Sequence, residues 1–166
     1  MPTKKPSPKV GKPQDAVALL KADHAQVKAW FGEFEKTRSS ARKQQLAKDI
    51  CLALKVHTKI EEEIFYPAFL QATKDKDMHH EAIVEHDGAK KLIAQIESSS
   101  PSDDYFDSKV HVLSEMIKHH VKEEEQPGGM FAEAKKSKHM DLAALGLQLA
   151  ERKEALMSRE TASLAA

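Results

Sequence analysis

The chain has 166 residues, enough for one domain with a substantial core. Lys plus Arg and Asp plus Glu number 26 each, and this zero net charge argues against whole-chain attraction to nucleic acid or to an anionic membrane. The single cysteine, Cys51, excludes an intrachain disulfide framework and multi-cysteine metal sites. No apolar run approaches the roughly 18 residues of a membrane helix, and the N-terminus lacks the apolar stretch of a secretory signal. We therefore expect a cytoplasmic protein that binds neither nucleic acid nor membrane.

The start of the chain differs in composition from the rest. Residues 1–13 contain four prolines, four lysines and no acidic residue, which predicts a disordered basic tail. Apolar residues then recur at helical spacing, and no segment alternates like a strand. Polar breaks, prolines and glycines separate five predicted helices, over about 15–37, 41–73, 77–98, 103–126 and from 141 onward. We predict an all-α fold, with an up-down-up-down four-helix bundle over 14–137 and an additional C-terminal helix over 138–166.

Histidines interrupt the apolar stripes of the first four predicted helices. Each stripe carries one histidine at a position that should face the core: His24, His57, His86 and His120. Glu61 and Glu124 follow two of these histidines by four residues and lie on the same helix faces. A buried carboxylate is costly unless it is neutralised or binds a cation. A pair of divalent metal ions satisfies the whole set, because nitrogen and oxygen ligands suit iron, manganese or zinc.

The same ligand pattern occurs twice along the chain. Each predicted helical hairpin contributes one histidine and then an H-x3-E motif, so two facing hairpins bring all six groups to a similar depth in the bundle. His119 and Glu123 repeat the motif spacing. His120 is nevertheless predicted to face the core, because the apolar residues Met116 and Leu113 precede it by one and two turns.

These motifs resemble those of the hemerythrin-like (HHE cation-binding) family. The run HTKIEEEIFYPA at 57–68 is similar to that family's second-helix signature, and EAIVEHDGAKKLIAQI at 81–96 is similar to its third. The resemblance covers about residues 15–131. It implies a four-helix bundle around a non-haem centre of two iron ions, with oxo or hydroxo and carboxylate bridges. Such a centre is expected to bind oxygen or related small ligands.

The sequence departs from the family's oxygen-carrier pattern on two helices. Ala82 stands four residues before His86, where that pattern has a histidine, and His120 is followed by Glu124 rather than by an aspartate five residues on. Reversible oxygen carriage is therefore not expected. The available groups leave about two coordination positions open on two six-coordinate irons, and Glu81 is the best-placed candidate for one of them. Three weaker candidates are expected to support the ligands or to lie at the surface: Glu62, Tyr66 and Glu85.

Three function classes fit this ligand set. We favour a di-iron module that binds or senses oxygen, nitric oxide or peroxide. The alternatives are a di-iron redox enzyme that breaks down peroxide and an iron-handling or storage bundle without turnover. A ferritin-like protein would need paired E-x2-H motifs, and the chain has none. A sensor would signal through a separate protein partner. The apolar side of the C-terminal helix could pack on the bundle or form a homodimer contact.

Overall fold

The computed structural model describes residues 14–165, and the predicted tail over 1–13 lies outside the described residues. Within 14–165 the regular structure is all helical, with no strand, which confirms the predicted fold class. None of the described helices is long and apolar enough to cross a membrane. The helices are, in chain order, α1 (Ala16–Lys36), α2 (Ser40–Ile60), a π-helical segment (Glu61–Phe65), α3 (Tyr66–Thr73), α4 (Lys76–Glu97), α5 (Phe106–Glu125), α6 (Met130–Lys136) and α7 (Leu142–Ala165).

Side-chain caps fix the starts of three of the four long bundle helices. Asp15, Ser39 and Asp75 each accept a hydrogen bond from the backbone N–H three residues ahead, at 2.8, 3.2 and 3.0 Å. Each cap satisfies one of the donors that a helix N-terminus leaves without an intrahelical partner. α3 ends at Lys74, whose left-handed backbone (φ 61°) turns the chain towards α4. These short connections keep successive bundle helices antiparallel.

Two apolar clusters fill the interior, one on each side of a polar layer. Leu20 and Phe65 belong to the first cluster, and Ile50 and Leu113 belong to the second. Along α1, α2 and α4, the fully buried side chains change from one cluster to the other at the histidine of that helix. Burying each large apolar side chain contributes about 1.5–3 kcal/mol. The two clusters together stabilise a fold whose middle layer is polar.

The second predicted helix contains a π-helical segment just before Pro67. Glu61, Phe65 and Tyr66 all keep right-handed helical backbone angles, so the helical path continues from α2 into α3. The Tyr66 N–H bonds to the carbonyl of Glu61, five residues back instead of four. Pro67 has no N–H to contribute to the ladder, and π-bulges of this kind occur frequently at functional sites. The extra residue in this turn rotates Tyr66 into the bundle interior.

The C-terminal part of the chain packs against the bundle. The short helix α6, which we did not predict, buries Met130 and Phe131 in the first apolar cluster. α7 packs against α1, α2 and the π-helical segment, and its Leu149 and Leu156 are buried there. The apolar side of α7 is therefore used within the chain. A homodimer through α7 stays a prediction, and Leu147 is a large apolar residue of this helix that is exposed.

Candidate metal centre

The four predicted histidines meet as two pairs in the polar layer. His24 Nε2 lies 3.1 Å from His57 Nε2, and His86 Nε2 lies 3.2 Å from His120 Nε2. All four side chains are buried, as the sequence predicts. His119, the alternative to His120, has a side chain that is 62% exposed. The first pair joins α1 to α2, and the second pair joins α4 to α5.

Glu61 and Glu124 each connect one histidine pair to the other. Oε1 of Glu61 lies 3.1 Å from His57 Nε2, and its Oε2 lies 3.1 Å from His86 Nε2. Oε2 of Glu124 lies 3.3 Å from His24 Nε2, and its Oε1 lies 3.2 Å from His120 Nε2. Both carboxylates are almost completely buried. Each glutamate therefore presents one oxygen to each pair, which is the arrangement of a bridging carboxylate.

A second ring of carboxylates holds the outer nitrogens of the histidines. Each Nδ1 lies 2.9–3.0 Å from a carboxylate oxygen on the neighbouring helix. The pairs are His57 with Asp23, His86 with Glu62, His120 with Glu85, and His24 with Glu125. Each helix thus supports the histidine of the next one around the bundle. Outer carboxylates of this kind orient the imidazole and direct Nε2 to the metal in known metal sites.

The hydroxyl of Tyr66 lies within the inner set, which consists of the four histidines with Glu61 and Glu124. Its hydroxyl donates to Glu124 Oε1 at 2.6 Å and lies 3.0 Å from Glu61 Oε2. It also lies 3.1 Å from His86 Nε2 and 3.3 Å from His120 Nε2. The sequence predicts only a supporting or surface role for Tyr66. In a uniform α-helix Tyr66 would lie on a different face from Glu61. The π-helical segment is the reason for this difference.

The electrostatics of the metal-free site combine burial with opposite charges. Burial alone would lower the pKa of His57, but Glu61 and Asp23 outweigh it and raise this pKa to about 10. Burial and the nearby Glu61 charge raise the pKa of Glu124, but His120 and His24 outweigh them and bring it to about 2. Burial, Glu61 and Glu124 hold the pKa of Tyr66 well above its ordinary value. Ionised carboxylates and charged imidazoles therefore balance one another until a cation replaces the imidazole protons.

The remaining candidate, Glu81, is not brought to the inner set. It is exposed near the start of α4, one residue before the buried Ala82. Both residues line a cavity of about 340 Å³ that also reaches Glu85 and Glu124. Glu62 and Glu85, for which a supporting or surface position is predicted, contact the outer nitrogens of histidines. Asp23 and Glu125 were not predicted, although each directly adjoins an inner residue in the sequence.

The distances between the donor atoms fit metal coordination. Two ligand atoms at about 2.1 Å from one ion, and at right angles to each other, lie about 3.0 Å apart. Within each histidine pair the two Nε2 atoms lie 3.1–3.2 Å apart, and each Nε2 lies 3.1–3.3 Å from the nearest oxygen of Glu61 or Glu124. Oε1 of Glu61 and Oε2 of Glu124 are buried without a hydrogen bond of good geometry among residues 14–165. Both of these oxygens face the His24–His57 pair, so a cation held there would satisfy them.

The fold and this buried cluster of histidines and glutamates define a metal-binding helical bundle. The sequence matches the family model of the hemerythrin HHE cation-binding domain over residues 15–127. The chain belongs to this family. The match covers the four bundle helices and ends before α6 and α7.

Two individual proteins are similar to the chain. A crystal structure of a hemerythrin HHE cation-binding domain-containing protein from Mycobacterium kansasii superposes with a TM-score of 0.74 at 23% identity, over 92% of this chain and 93% of that one. This similarity supports the shared fold. A DNA nickase from Nostoc sp. is 29% identical over 107 residues, which cover 64% of this chain and 30% of the nickase. The chain spans under a third of the length of that relative, and the name DNA nickase describes that larger protein.

Proposed function

We propose that this protein holds two iron ions and binds oxygen, nitric oxide or peroxide at them. One ion would be held by His24 and His57, the other by His86 and His120, with both ions bridged by Glu61 and Glu124. The observation that carries this proposal is the bridging position of the two glutamates, each with one oxygen at each histidine pair. Iron held there would supply redox chemistry towards oxygen, nitric oxide or peroxide.

The cavity beside Ala82 supports binding of a small external ligand. Ala82 lies one turn before His86 on the same face and offers no donor atom. The cavity that it lines extends from the exposed Glu81 to Glu124 in the inner set. A diatomic molecule or a peroxide is small enough for a space of about 340 Å³. We accordingly place Glu81 at the mouth of this cavity rather than among the iron ligands.

Tyr66 favours a second candidate function, the breakdown of peroxide. Cleavage of an O–O bond requires protons at the departing oxygen atoms. The hydroxyl of Tyr66 lies within hydrogen-bond distance of both Glu61 and Glu124, and in the metal-free site burial and these two carboxylates raise its pKa. It can therefore donate a proton or a hydrogen bond to a ligand held between the two pairs.

We further propose that the protein acts in the cytoplasm without a nucleic-acid partner. The balance of 26 basic and 26 acidic residues supports the absence of a nucleic-acid partner. If the centre is a sensor, ligand binding would be passed to a separate protein.

An electronic absorption spectrum of the iron-loaded protein tests the proposed function. We expect bands of an oxo- or carboxylate-bridged diferric centre that change when nitric oxide or peroxide is added. Catalytic consumption of peroxide would favour the enzyme. A stable spectral change that is complete after one ligand molecule has been added per metal centre would favour the sensor. A spectrum that no added ligand changes would contradict both and leave a storage role.

A further inference from the structure

A groove between α1 and α5 lies outside the set of metal-binding residues but reaches it at one end. Its volume is about 560 Å³, in the range of small-molecule sites. Phe31 on α1 and Ile117 and Val121 on α5 give the groove apolar surface, and His24 with its partner Glu125 closes one end. A ligand in this groove would therefore lie beside the metal centre without replacing any of its ligands.

The small residues of α1 create this space. Gly32 lies inside α1, where glycine destabilises a helix relative to alanine. A Cβ atom at Gly32 would meet no atom within 4 Å, so close packing does not require glycine there. Ala25, two turns earlier, also lines the groove. Larger residues at these two positions would fill the groove.

Four lysines surround the groove: Lys21, Lys28, Lys118 and Lys122. Among residues 14–165 only Lys118 has an ion-pair partner, the exposed Glu115 at 2.8 Å. The two acidic residues of the groove each face a histidine instead, Glu125 at His24 and Glu35 at His111. The groove therefore presents an excess of positive charge above an apolar surface.

The lysines are concentrated towards one end. Lys21 and Lys28 lie one turn before and one turn after His24, and Lys122 lies one turn before Glu125. Phe31 and Gly32 lie beyond them, away from the metal centre. Lysine stems can cover apolar surface while their ammonium groups remain at the rim. A ligand that matches this layout has an anionic head near His24 and an apolar tail along Phe31.

We propose that the groove binds an aliphatic carboxylate, such as a fatty acid. Its carboxylate would lie among the lysines near His24, and its chain would cover Phe31, Ile117 and the open space at Gly32. A small inorganic anion would leave the apolar surface uncovered, and a neutral lipid would leave the lysines without a partner. The site is independent of the proposed iron chemistry, because none of its contacts is made through a metal ion.

Calorimetric titration of the full chain, with and without iron, tests the binding site. The ligands are laurate, dodecanol and dodecyltrimethylammonium, which share one tail and differ in head-group charge, each kept below its micelle concentration. We expect laurate to bind one site per chain, at least tenfold more tightly than dodecanol and in both iron-free and iron-loaded protein. Equal binding of the three ligands, or no saturable laurate binding, would overturn the proposal.

Variants locate the site. Gly32→Leu fills the groove, and leucine stabilises a helix more than glycine does, so the variant should fold. We expect its affinity for laurate to fall at least tenfold and its iron content to stay unchanged. Lys28→Gln together with Lys122→Gln should weaken laurate and leave dodecanol unchanged. Lys91→Gln on the exposed surface of α4 is the control and should change neither. Laurate binding that survives Gly32→Leu with unchanged affinity would place the ligand elsewhere and exclude this groove.

Discussion

Lys153 and Asp23, 130 residues apart in the chain, form a hydrogen bond of 2.5 Å between Nζ and Oδ1. The other oxygen of Asp23 lies 3.0 Å from His57 Nδ1, so α7 is connected to the metal centre through one carboxylate. Lys90 makes the corresponding contact with Glu62 at the second histidine pair, at 2.7 Å to both oxygens. The family model ends at residue 127, yet the C-terminal helix beyond it contacts a carboxylate that holds a histidine of the candidate metal centre.

We predict that Lys153→Met weakens the retention of iron. Loss of the ammonium group frees Asp23 to move. Loss of an outer-shell partner such as Asp23 itself typically lowers metal affinity by about 10- to 100-fold, so we expect a smaller decrease for Lys153→Met. Competition with a chelator measures the change, and Lys153→Arg should recover part of it. The control is the adjacent Arg152→Met, which breaks an exposed ion pair with Glu63 and should leave iron affinity unchanged. Equal iron affinity in Lys153→Met and the wild type would contradict the role of α7.

Tyr66→Phe tests the proton donor. The phenyl ring keeps the buried packing, so we expect the iron content to stay the same while peroxide turnover falls by about 10²- to 10⁴-fold, the usual contribution of a positioned acid. Phe65→Leu, next to it in the apolar cluster, controls for changed packing. Unchanged turnover in Tyr66→Phe would exclude the donor role, and loss of one iron would make Tyr66 a ligand instead.

The inner histidines and glutamates could be predicted because their helices follow regular spacing. His57 precedes the π-helical segment and Glu61 begins it, and the Glu61 N–H still bonds to the His57 carbonyl four residues back, so the two side chains share a face as in any α-helix. Tyr66 follows that segment, and no simple periodicity reveals a turn with one extra residue. The sequence does contain a signal for it in Pro67, which cannot donate to the ladder.

The outer carboxylates were harder to predict because their partners belong to other helices. Asp23 supports His57 rather than its own neighbour His24, and Glu125 supports His24 rather than a residue of α5. Spacing within one helix does not reveal such contacts. A carboxylate directly beside an inner residue was the available signal, and exposed acidic residues on helices are too common for that signal alone to be decisive.

Removal of metal should change stability in a pH-dependent way. The raised pKa of His57, about 10 against an ordinary 6.5, stabilises the metal-free fold fully below about pH 6.5, and this contribution is lost as the pH rises towards 10. Protons also compete with metal for the same nitrogens, so metal affinity rises over this range. The difference in melting temperature between iron-loaded and metal-free protein should therefore grow from pH 6 to pH 9. A constant or shrinking difference would show that the imidazoles do not exchange protons for metal.

At acid pH the stability of the metal-free protein changes in the opposite direction, because it falls as the pH is lowered. The pKa of Glu124, lowered from 4.5 to about 2, gives stability that is present above about pH 4.5 and is lost as the pH falls towards 2. We expect Glu124→Gln to make the melting temperature of the metal-free protein less sensitive to pH in this range. Glu123→Gln, one residue away and outside the inner set, is the matched control. The same acid sensitivity in Glu124→Gln and the wild type would assign acid unfolding to other groups.

Replacement of Ala82 by histidine should prolong oxygen binding. The wild type is expected to be mostly diferric and to autoxidise rapidly, since position 82 supplies no ligand one turn from His86. An imidazole there would stabilise the reduced form, and visible absorption would follow the lifetime of the oxygenated protein. Ala82→Leu fills the same space without a donor and controls for overpacking, which typically costs about 1–3 kcal/mol. Oxygen binding that lasts for hours in the wild type would contradict this account of α4.

The iron-to-chain ratio of protein produced under iron-replete conditions tests the central claim most directly. Two histidine pairs joined by Glu61 and Glu124 predict two iron ions per chain, measured by elemental analysis against protein concentration. Replacement of both glutamates by glutamine should lower the ratio, and Glu63→Gln on the exposed side of the same π-helical segment should not. A ratio of one or zero in the wild type would contradict the proposed di-iron centre.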